Sequence, residues 1–343
     1  MIGETLVREY LSEATMRAAE NAIRYLLSAQ SLGGAWWDFP VSIGCSGPWV
    51  TGVVGEVLNE CPEPLRPPML EAALVRAVRY LERSQLPEGG WGYNEALPAD
   101  CDSTAYAMIF LHSMGTRLEN RPLAALRAFQ REDGAFLTYT GAPPGHSWGA
   151  VHYDVHGPAV RALGRVLGRD HESAAKGLRY SVRGLDQQRV WPAFWWQPQV
   201  YSVYQNLLCL EELGALASIS EAKCEVFLPT FSNATPLCTA LSGLAAYFLR
   251  QEKMARDSLS SLLKTQLPDG SWPSSKALRV TDANCLEPWS VAPNATAGPL
   301  YRDTRRIFTT ALALKLLQRS LQQAELGVID KRFVQWTRPT MSL

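Results

Sequence analysis

A short motif recurs along the 343-residue chain and constrains the fold more than any other feature. It consists of a glutamine, a glycine four residues later and an aromatic residue two positions after the glycine. Four copies begin at Gln30, Gln85, Gln130 and Gln266, and a weaker copy begins at Gln187. We interpret the motif as a turn in which the glutamine amide bonds backbone groups freed at a helix end. The glycine allows the turn, and the aromatic ring packs on the next unit.

The segments on either side of each copy predict the architecture. An amphipathic helical pattern such as "LEAALVRAVRYLERSQ" precedes the motif, and a pattern that is apolar on nearly all sides, such as "PWVTGVVGEVL", follows it. Helices that are apolar all round are buried all round. The pair repeats about six times at roughly 50 residues, a spacing typical of helical-pair repeats. No run of residues is a convincing strand, and we therefore predict an all-α fold, an (α/α)6 barrel of six inner and six outer helices, formed as a single domain by residues 1–343. An open solenoid has the same local pattern.

Composition restricts the class of partner. The 33 basic and 33 acidic residues balance, which disfavours a nucleic-acid partner. Seven cysteines without a C-x-x-C pair predict reduced thiols and a cytoplasmic protein. The longest apolar run, residues 237–249, is too short to span a bilayer, so we expect no transmembrane segment. A peripheral membrane contact stays open, as does the oligomeric state.

Aromatic residues and two aspartates suggest a site. Many of the 11 tryptophans fall in loops, where they would give a central cavity a π-rich wall. Asp100 and Asp102 precede the apolar segment "STAYAMIFLHSMG". Taken alone, such a pair is most simply a helix N-cap.

Together, the repeated turn and the D-x-D-S-T segment beginning at Asp100 resemble the class II terpene cyclases of the squalene–hopene cyclase superfamily. The resemblance spans essentially the whole chain but covers only the catalytic barrel, whereas those enzymes usually carry two or three barrel domains. "RYLLSAQSLGGAWWD" resembles the family's opening helix and turn, and "SGPWVTGVV" resembles the start of the next barrel helix. The chain is most similar to the single-domain bacterial cyclases that make meroterpenoids.

The resemblance implies roles for the residues of the D-x-D-D-T motif. Its middle aspartate, the proton donor, corresponds to Asp102, and its first aspartate corresponds to Asp100. The third acid is replaced here by Ser103, so a hydroxyl stands where the family has a carboxylate.

A second helix start also carries a family feature. Asp154 matches the family's Asp-Val helix start. The histidine that hydrogen-bonds the acid in hopene-type enzymes is replaced by Pro158, which leaves His152 and His156 as candidates for that role. The i, i+4 spacing of these histidines also suits a metal, although such a pair is more often structural.

Further residues are implied for substrate binding. The aromatic residues that match the family's cavity wall are Trp49, Tyr93, Tyr139, Trp195, Trp196, Tyr201 and Tyr301. The basic segment "YRDTRRIF" supplies Arg302, with Arg305 and Arg306 as neighbours, for an anionic head group; a solvated face is the competing interpretation.

The chemistry implied is protonation of a carbon–carbon double bond. Asp102 would have to stay protonated in a dry site, and the carbocation would be stabilised by ring faces. The resemblance implies an enzyme that needs neither cofactor nor metal and that cyclises a hydrophobic polyprenyl chain, with a prenylated aromatic acid as the expected substrate.

Four alternatives remain at this stage. One is a cyclase of a triterpene or of a linear prenyl diphosphate accompanied by Mg²⁺. Another is a protein prenyltransferase β-subunit, disfavoured because "DANC" at 282–285 has no histidine after it. A barrel glycosidase would need a polar cleft. A non-catalytic module with the same fold is opposed only by Asp102 and the aromatic residues.

Overall fold

The computed structural model describes residues 2–118, 120–188, 190–219, 234–292 and 295–336. The helices of these segments are α1 Ile2–Ala29, α2 Pro48–Asn59, α3 Leu70–Ser84, α4 Cys101–Ser113, α5 Asn120–Ala128, α6 Tyr153–Leu167, α7 Glu172–Gln188, α8 Val200–Glu212, α9 Pro236–Phe248, α10 Glu252–Thr265 and α11 Ile307–Trp336. Short 3₁₀ turns span Glu63–Leu65, Ser147–Gly149 and Leu216–Ser218. The strands are β1 Asp38–Val41, β2 Gly44–Ser46, β3 Lys276–Arg279 and β4 Leu300–Arg302.

Six helices form a closed inner ring. The helices α2, α4, α6, α8, α9 and α11 pack each against the next, and α11 returns to pack against α2. Nearly every residue of α2 and α4 is buried, as expected for helices enclosed on all sides. The predicted barrel is therefore closed, and the open-solenoid alternative is wrong.

The amphipathic helices lie outside this ring. In the described part of the chain, α1, α3, α5, α7 and α10 pack against α11, α2, α4, α6 and α9 respectively. The sixth predicted outer helix would fall between α8 and α9, where residues 220–233 lie outside the described segments.

The repeated glutamine joins consecutive outer helices. The Gln30 amide, at the end of α1, donates to the carbonyl of Gly34 in its own turn (2.9 Å) and to the carbonyl of Ala73 in α3 (2.8 Å). After α10, the amide of Gln266 bonds the carbonyl of Ala18 in α1 (2.8 Å), so the same device links the last outer helix to the first.

The freed helix-end carbonyls are bonded by tryptophan, not by glutamine as the sequence interpretation had it. The indole N–H groups of Trp36, Trp91 and Trp272 donate to carbonyls ten residues earlier, at 2.7, 2.8 and 2.9 Å. Those carbonyls lie in the last turns of α1, α3 and α10, where no intrahelical N–H remains to bond them. The tryptophan of each of these motifs thus caps the C-terminal end of the outer helix that precedes it.

The predicted all-α fold is confirmed, and two short hairpins accompany the helices. β1 pairs antiparallel with β2, and β3 pairs antiparallel with β4. Each strand has only three or four residues, which is too short for an alternating pattern to be recognised in the sequence. Both hairpins lie in loops that precede inner helices.

A group of ion pairs joins three of the inner helices. Arg161 of α6 bonds Glu56 of α2 at 2.6 Å and Glu212 of α8 at 2.7 Å, and Arg165 bonds the same two glutamates. These neighbouring cations lower the pKa of Glu56 against the opposing effect of burial. These ion pairs therefore link α2, α6 and α8 to one another.

In the segments that the structure describes, no helix combines the length and the apolar character needed to cross a bilayer.

The glycine of the repeat makes a specific stability prediction. Gly270 has φ +89°, and a Cβ there would lie 2.3 Å from the Asn21 carbonyl oxygen of α1, whereas Gly115, at φ +74°, has open space around it. We expect Gly115→Ala to lower the free energy of unfolding by about 1 kcal/mol through backbone strain. Gly270→Ala should lower the free energy of unfolding by at least about 1 kcal/mol more, because the turn that contains Gly270 must also move away from α1. Urea denaturation of both variants measures the difference, and equal losses would contradict the tight contact.

Candidate active site

A cavity of about 680 Å³ opens where α2 and α4 begin. Its wall is mostly aromatic and aliphatic, and polar groups are interspersed in it. The apolar part of the lining comprises Val41, Ile43, Trp49, Leu97, Trp148, Trp195, Trp196, Leu278 and Val280, and the polar part comprises Tyr93, Asp100, Asp102, Ser103, Thr138, Tyr139 and Arg279. Such a site suits a large apolar molecule that carries one polar end.

Asp100 is the N-cap of α4. One carboxylate oxygen accepts the backbone N–H of Ser103 at 2.7 Å, and the other accepts the Ser103 hydroxyl at 2.9 Å. The carboxyl is buried, so these two bonds satisfy a group that water does not reach. Ser103 therefore holds the Asp100 carboxyl through both its backbone N–H and its hydroxyl.

Asp102 lies in the first turn of α4 and is partly exposed to the cavity. Burial raises the pKa of both Asp100 and Asp102; the Asp102 charge raises that of Asp100 further. The two carboxyls interact strongly enough to shift each other's pKa, which allows the pair to share one proton. The pair consequently keeps a proton at a pH at which a solvated aspartate has lost it.

Most of the aromatic residues expected at the cavity do line it. They are Trp49, Tyr93, Tyr139, Trp195 and Trp196. The indole rings of Trp49 and Trp196 meet edge to face at 5.6 Å, and the Tyr93 hydroxyl donates to the Phe39 carbonyl. These contacts fix the rings that form the wall.

Two expected wall residues do not line the cavity. Tyr201 lies behind Trp196, against which it stacks at 4.0 Å, and its hydroxyl shares a 3.0 Å hydrogen bond with that of Tyr106. Tyr301 lies in β4 opposite Leu278 of β3, and it is Leu278 that lines the cavity. The β3–β4 hairpin therefore places Leu278, and not Tyr301, at the cavity.

Neither candidate histidine hydrogen-bonds Asp102. The Nδ1 of His152 bonds the hydroxyl of Thr138 at 2.8 Å, its Nε2 has no hydrogen-bond partner, and its ring stacks on Phe194 at 3.6 Å. Burial lowers the pKa of His152 to about 3, so its ring is neutral.

His156 faces away from the cavity. Its Nε2 pairs with the carbonyl oxygen of Gly177 in α7 at 3.0 Å, and burial lowers its pKa to about 4. The side chain packs between an inner and an outer helix, and its ring lies 5.1 Å from that of Tyr180 in α7. Among the described residues, no group of three or more potential metal ligands is assembled here or elsewhere.

Asp154 fastens the loop that carries the tryptophan wall. One of its carboxylate oxygens accepts the backbone N–H groups of Phe194 (2.8 Å) and Trp195 (2.7 Å), while the other oxygen has no partner. Burial raises the pKa of Asp154 to about 7, and the Asp102 charge adds to this. Asp154 is thus a positioning group behind the wall and does not itself line the cavity.

The basic segment expected to hold an anionic head group does not face the cavity. Arg302 is exposed in β4, Arg305 is exposed as well, and Arg306 pairs with Asp269 at 2.9 Å. The cation that does line the cavity is Arg279, at the end of β3. The sequence carried no signal for it, because "KALR" shows its direction only once β3 has paired with β4.

Trp148 and Thr138 were also missed. Trp148 lines the cavity at 5.4 Å from Trp195, and its indole N–H donates to the Thr281 carbonyl. Thr138 accepts the indole N–H of Trp195 at 3.2 Å. Both lie in long loops without a recognisable motif.

No family model matches this sequence, and no curated protein matches it either. Solved structures do match the fold. A variant of the type II terpene cyclase MstE from Scytonema, in complex with its substrate geranylgeranyl dihydroxybenzoate, superimposes with a TM-score of 0.76 at 22% identity, over 92% of this chain and 99% of that one. Another MstE variant, in complex with its product merosterolic acid A, gives a TM-score of 0.74 at 22% identity, over 91% and 99%.

Two other structures share the fold. A protein from Actinoplanes superimposes with a TM-score of 0.75 at 24% identity, over 90% of this chain and 99% of that one. A possible member of the GH105 family from Klebsiella pneumoniae gives 0.54 at 11% identity, over 92% and 94%. These likenesses confirm the predicted barrel, which is shared with the type II terpene cyclase MstE.

The raised pKa of Asp154 predicts a pH-dependent contribution to stability. The unfolded aspartate titrates near 4, whereas the folded one keeps its proton up to about pH 7. Between those values the folded state binds the extra proton, so this contribution to the free energy of unfolding falls as pH rises. We expect Asp154→Asn to become more stable relative to the unsubstituted protein between about pH 4.5 and about pH 6.5, by up to about 1.4 kcal/mol per pH unit.

Urea denaturation across that range measures the trend. Asp257→Asn, on the exposed side of α10, is the control and should show a much weaker one. A pH-independent difference for Asp154→Asn would show that Asp154 is already ionised in the folded protein.

Proposed function

We propose that this chain is a class II terpene cyclase, with the barrel as its catalytic domain, and that Asp102 starts the reaction by protonating the terminal alkene of a polyprenyl chain. The observation that carries the proposal is the proton-retaining pair of Asp100 and Asp102 at the start of α4, placed at a cavity whose wall is largely aromatic. The product would be a fused-ring meroterpenoid.

The two aspartates have different tasks in this mechanism. Asp100 is held by Ser103 and cannot leave the helix start, so it repels a negative charge on Asp102 and shares its proton. Asp102 is the member of the pair that is partly exposed to the cavity. Its O–H proton would pass to the terminal alkene carbon, the alkene electron pair would form the new C–H bond, and a tertiary carbocation would remain.

The cavity wall suits the cation that follows. Each alkene of the chain would attack the preceding cation and close a ring, which moves the positive charge along the cavity. Ring faces such as those of Trp49, Trp195 and Trp196 stabilise a desolvated cation by about 2 kcal/mol each. Loss of a proton to a base or capture by water would end the cascade and balance the proton taken from Asp102.

The proposed substrate is a prenylated aromatic acid. The MstE complexes contain geranylgeranyl dihydroxybenzoate and merosterolic acid A, a molecule of that class and its cyclised product. In this chain, a cavity whose wall is mostly aromatic and aliphatic is compatible with the same class. A prenyl diphosphate or a triterpene would use the same acid, so the choice between them rests on the head group.

Replacement of the acid tests the reaction. Asp102→Asn keeps the size of the side chain but removes the transferable proton, so cyclisation of a geranylgeranylated dihydroxybenzoate should fall by about 1,000-fold. Binding of the same compound should persist, because the wall is unchanged. Liquid chromatography with mass spectrometry quantifies the cyclised product, and intrinsic tryptophan fluorescence reports binding.

The matched control is Asp303→Asn. Asp303 is also buried and also accepts backbone N–H groups at an inner-helix start, from Ser275 and Thr309, but it does not line the cavity. Product formation should therefore be largely retained in this variant. Undiminished cyclisation by Asp102→Asn would exclude Asp102 as the proton donor, and absence of any cyclised product from the unsubstituted chain would reject the proposal for this substrate class.

A further inference from the structure

The lone cation of the described cavity lining, Arg279, is held rigidly in the wall. It is the last residue of β3, and its side chain is 8% exposed. Its backbone N–H donates to the Trp195 carbonyl at 2.7 Å, and its guanidinium donates to the Phe194 carbonyl at 3.3 Å. The strand therefore fixes Arg279 beside the tryptophan wall.

The charge of Arg279 is not compensated by the described residues. None of their carboxylate oxygens lies within 4.0 Å of its guanidinium nitrogens. Asp154 is the nearby acid that acts on it, but one oxygen of Asp154 is used by the N–H groups of Phe194 and Trp195. Burial lowers the pKa of Arg279 and outweighs the opposing effect of the Asp154 charge.

Arg161, the other buried arginine among the described residues, shows the contrast. Arg161 is 1% exposed and lies between Glu56 and Glu212, each within hydrogen-bonding distance. A buried cation without such partners is costly, and an anion that enters the site offsets the cost. The fold thus pairs Arg161 internally and leaves Arg279 available to a ligand.

The surroundings of Arg279 favour an anion on an aromatic ring. Trp148 and Trp195 line the cavity next to β3, and Trp148 is tied to that segment through the Thr281 carbonyl. A planar ring could pack on these indoles while the guanidinium fork binds a planar carboxylate with two parallel hydrogen bonds.

We infer that Arg279 binds the carboxylate of the substrate's aromatic head group, so that the prenyl chain extends from it toward Asp102. The inference rests on the proposed function and adds the site that selects the substrate. A diphosphate fits less well, because it would place several negative charges beside one arginine and two aspartates, with no second cation in the described lining.

The test separates charge recognition from general packing. In the full chain carrying Asp102→Asn, which prevents turnover, tryptophan fluorescence would measure binding of a geranylgeranylated dihydroxybenzoate and of its methyl ester. We expect further replacement by Arg279→Gln to weaken binding of the acid by about 10- to 100-fold and binding of the ester by less than about 3-fold. Arg279→Lys should retain part of the preference for the acid.

Arg302→Gln is the matched control, because Arg302 is exposed on the neighbouring strand β4 and should leave both affinities unchanged. An equal loss of acid and ester binding in Arg279→Gln, with no recovery in Arg279→Lys, would show a packing role and overturn the inference. Tighter, Arg279-dependent binding of geranylgeranyl diphosphate would overturn the carboxylate assignment.

The same experiment distinguishes failure of the inference from failure of the proposed function. If the unsubstituted chain cyclises acid and ester alike and Arg279→Gln changes neither rate nor affinity, the inference fails while the cyclase assignment stands. If the unsubstituted chain binds and cyclises neither compound, the proposed function fails and the inference falls with it.

Discussion

Backbone N–H groups at the starts of the inner helices and in the loops before them are bonded by buried aspartates, and the position of the tryptophan wall depends on the bonds of one of them, Asp154. Asp38 accepts N–H groups of α11 across the barrel end, from Ile307 at 2.9 Å, and Asp154 holds the loop of Phe194 and Trp195. Asp100 and Asp303 act in the same way at α4 and α11. Because Asp38, Asp154 and Asp303 join segments distant in sequence, the loops that precede the inner helices are held in place without a β-sheet core.

The barrel separates two kinds of charge. Away from the cavity, paired arginines and glutamates join α2, α6 and α8, and each of these ions has a partner. The cavity holds the proton-sharing pair of Asp100 and Asp102 together with Arg279, the one cation of its described lining. Helix N-termini carry partial positive charge and would favour carboxylates, yet burial and mutual repulsion outweigh this and keep a proton on the pair. Such an arrangement suits an acid that must transfer a proton in a water-poor cavity.

The extent to which the site could be predicted differed between helix starts and loops. Asp100 and Asp102 were predictable because a helix cap and a repeat position are both local properties of the chain. His152 and His156 were misjudged, since their spacing gave no indication that one would bond Thr138 and the other α7. Arg302 was selected and Arg279 was missed, because a cluster of basic residues is visible in sequence, whereas the direction of a single strand residue is not.

The sequence by itself determined the alternation of helices, the turns that join them and the helix at which the two aspartates stand, because helix periodicity, glycine turns and N-caps act within a few residues. Only the tertiary structure decided that the ring closes, that short hairpins cover its open end, and which aromatic rings and which arginine face the cavity. Those outcomes depend on hydrogen bonds such as that from Gln266 to Ala18 and on strand pairing between β3 and β4. Such contacts join residues far apart in sequence, and no local pattern encodes their partners.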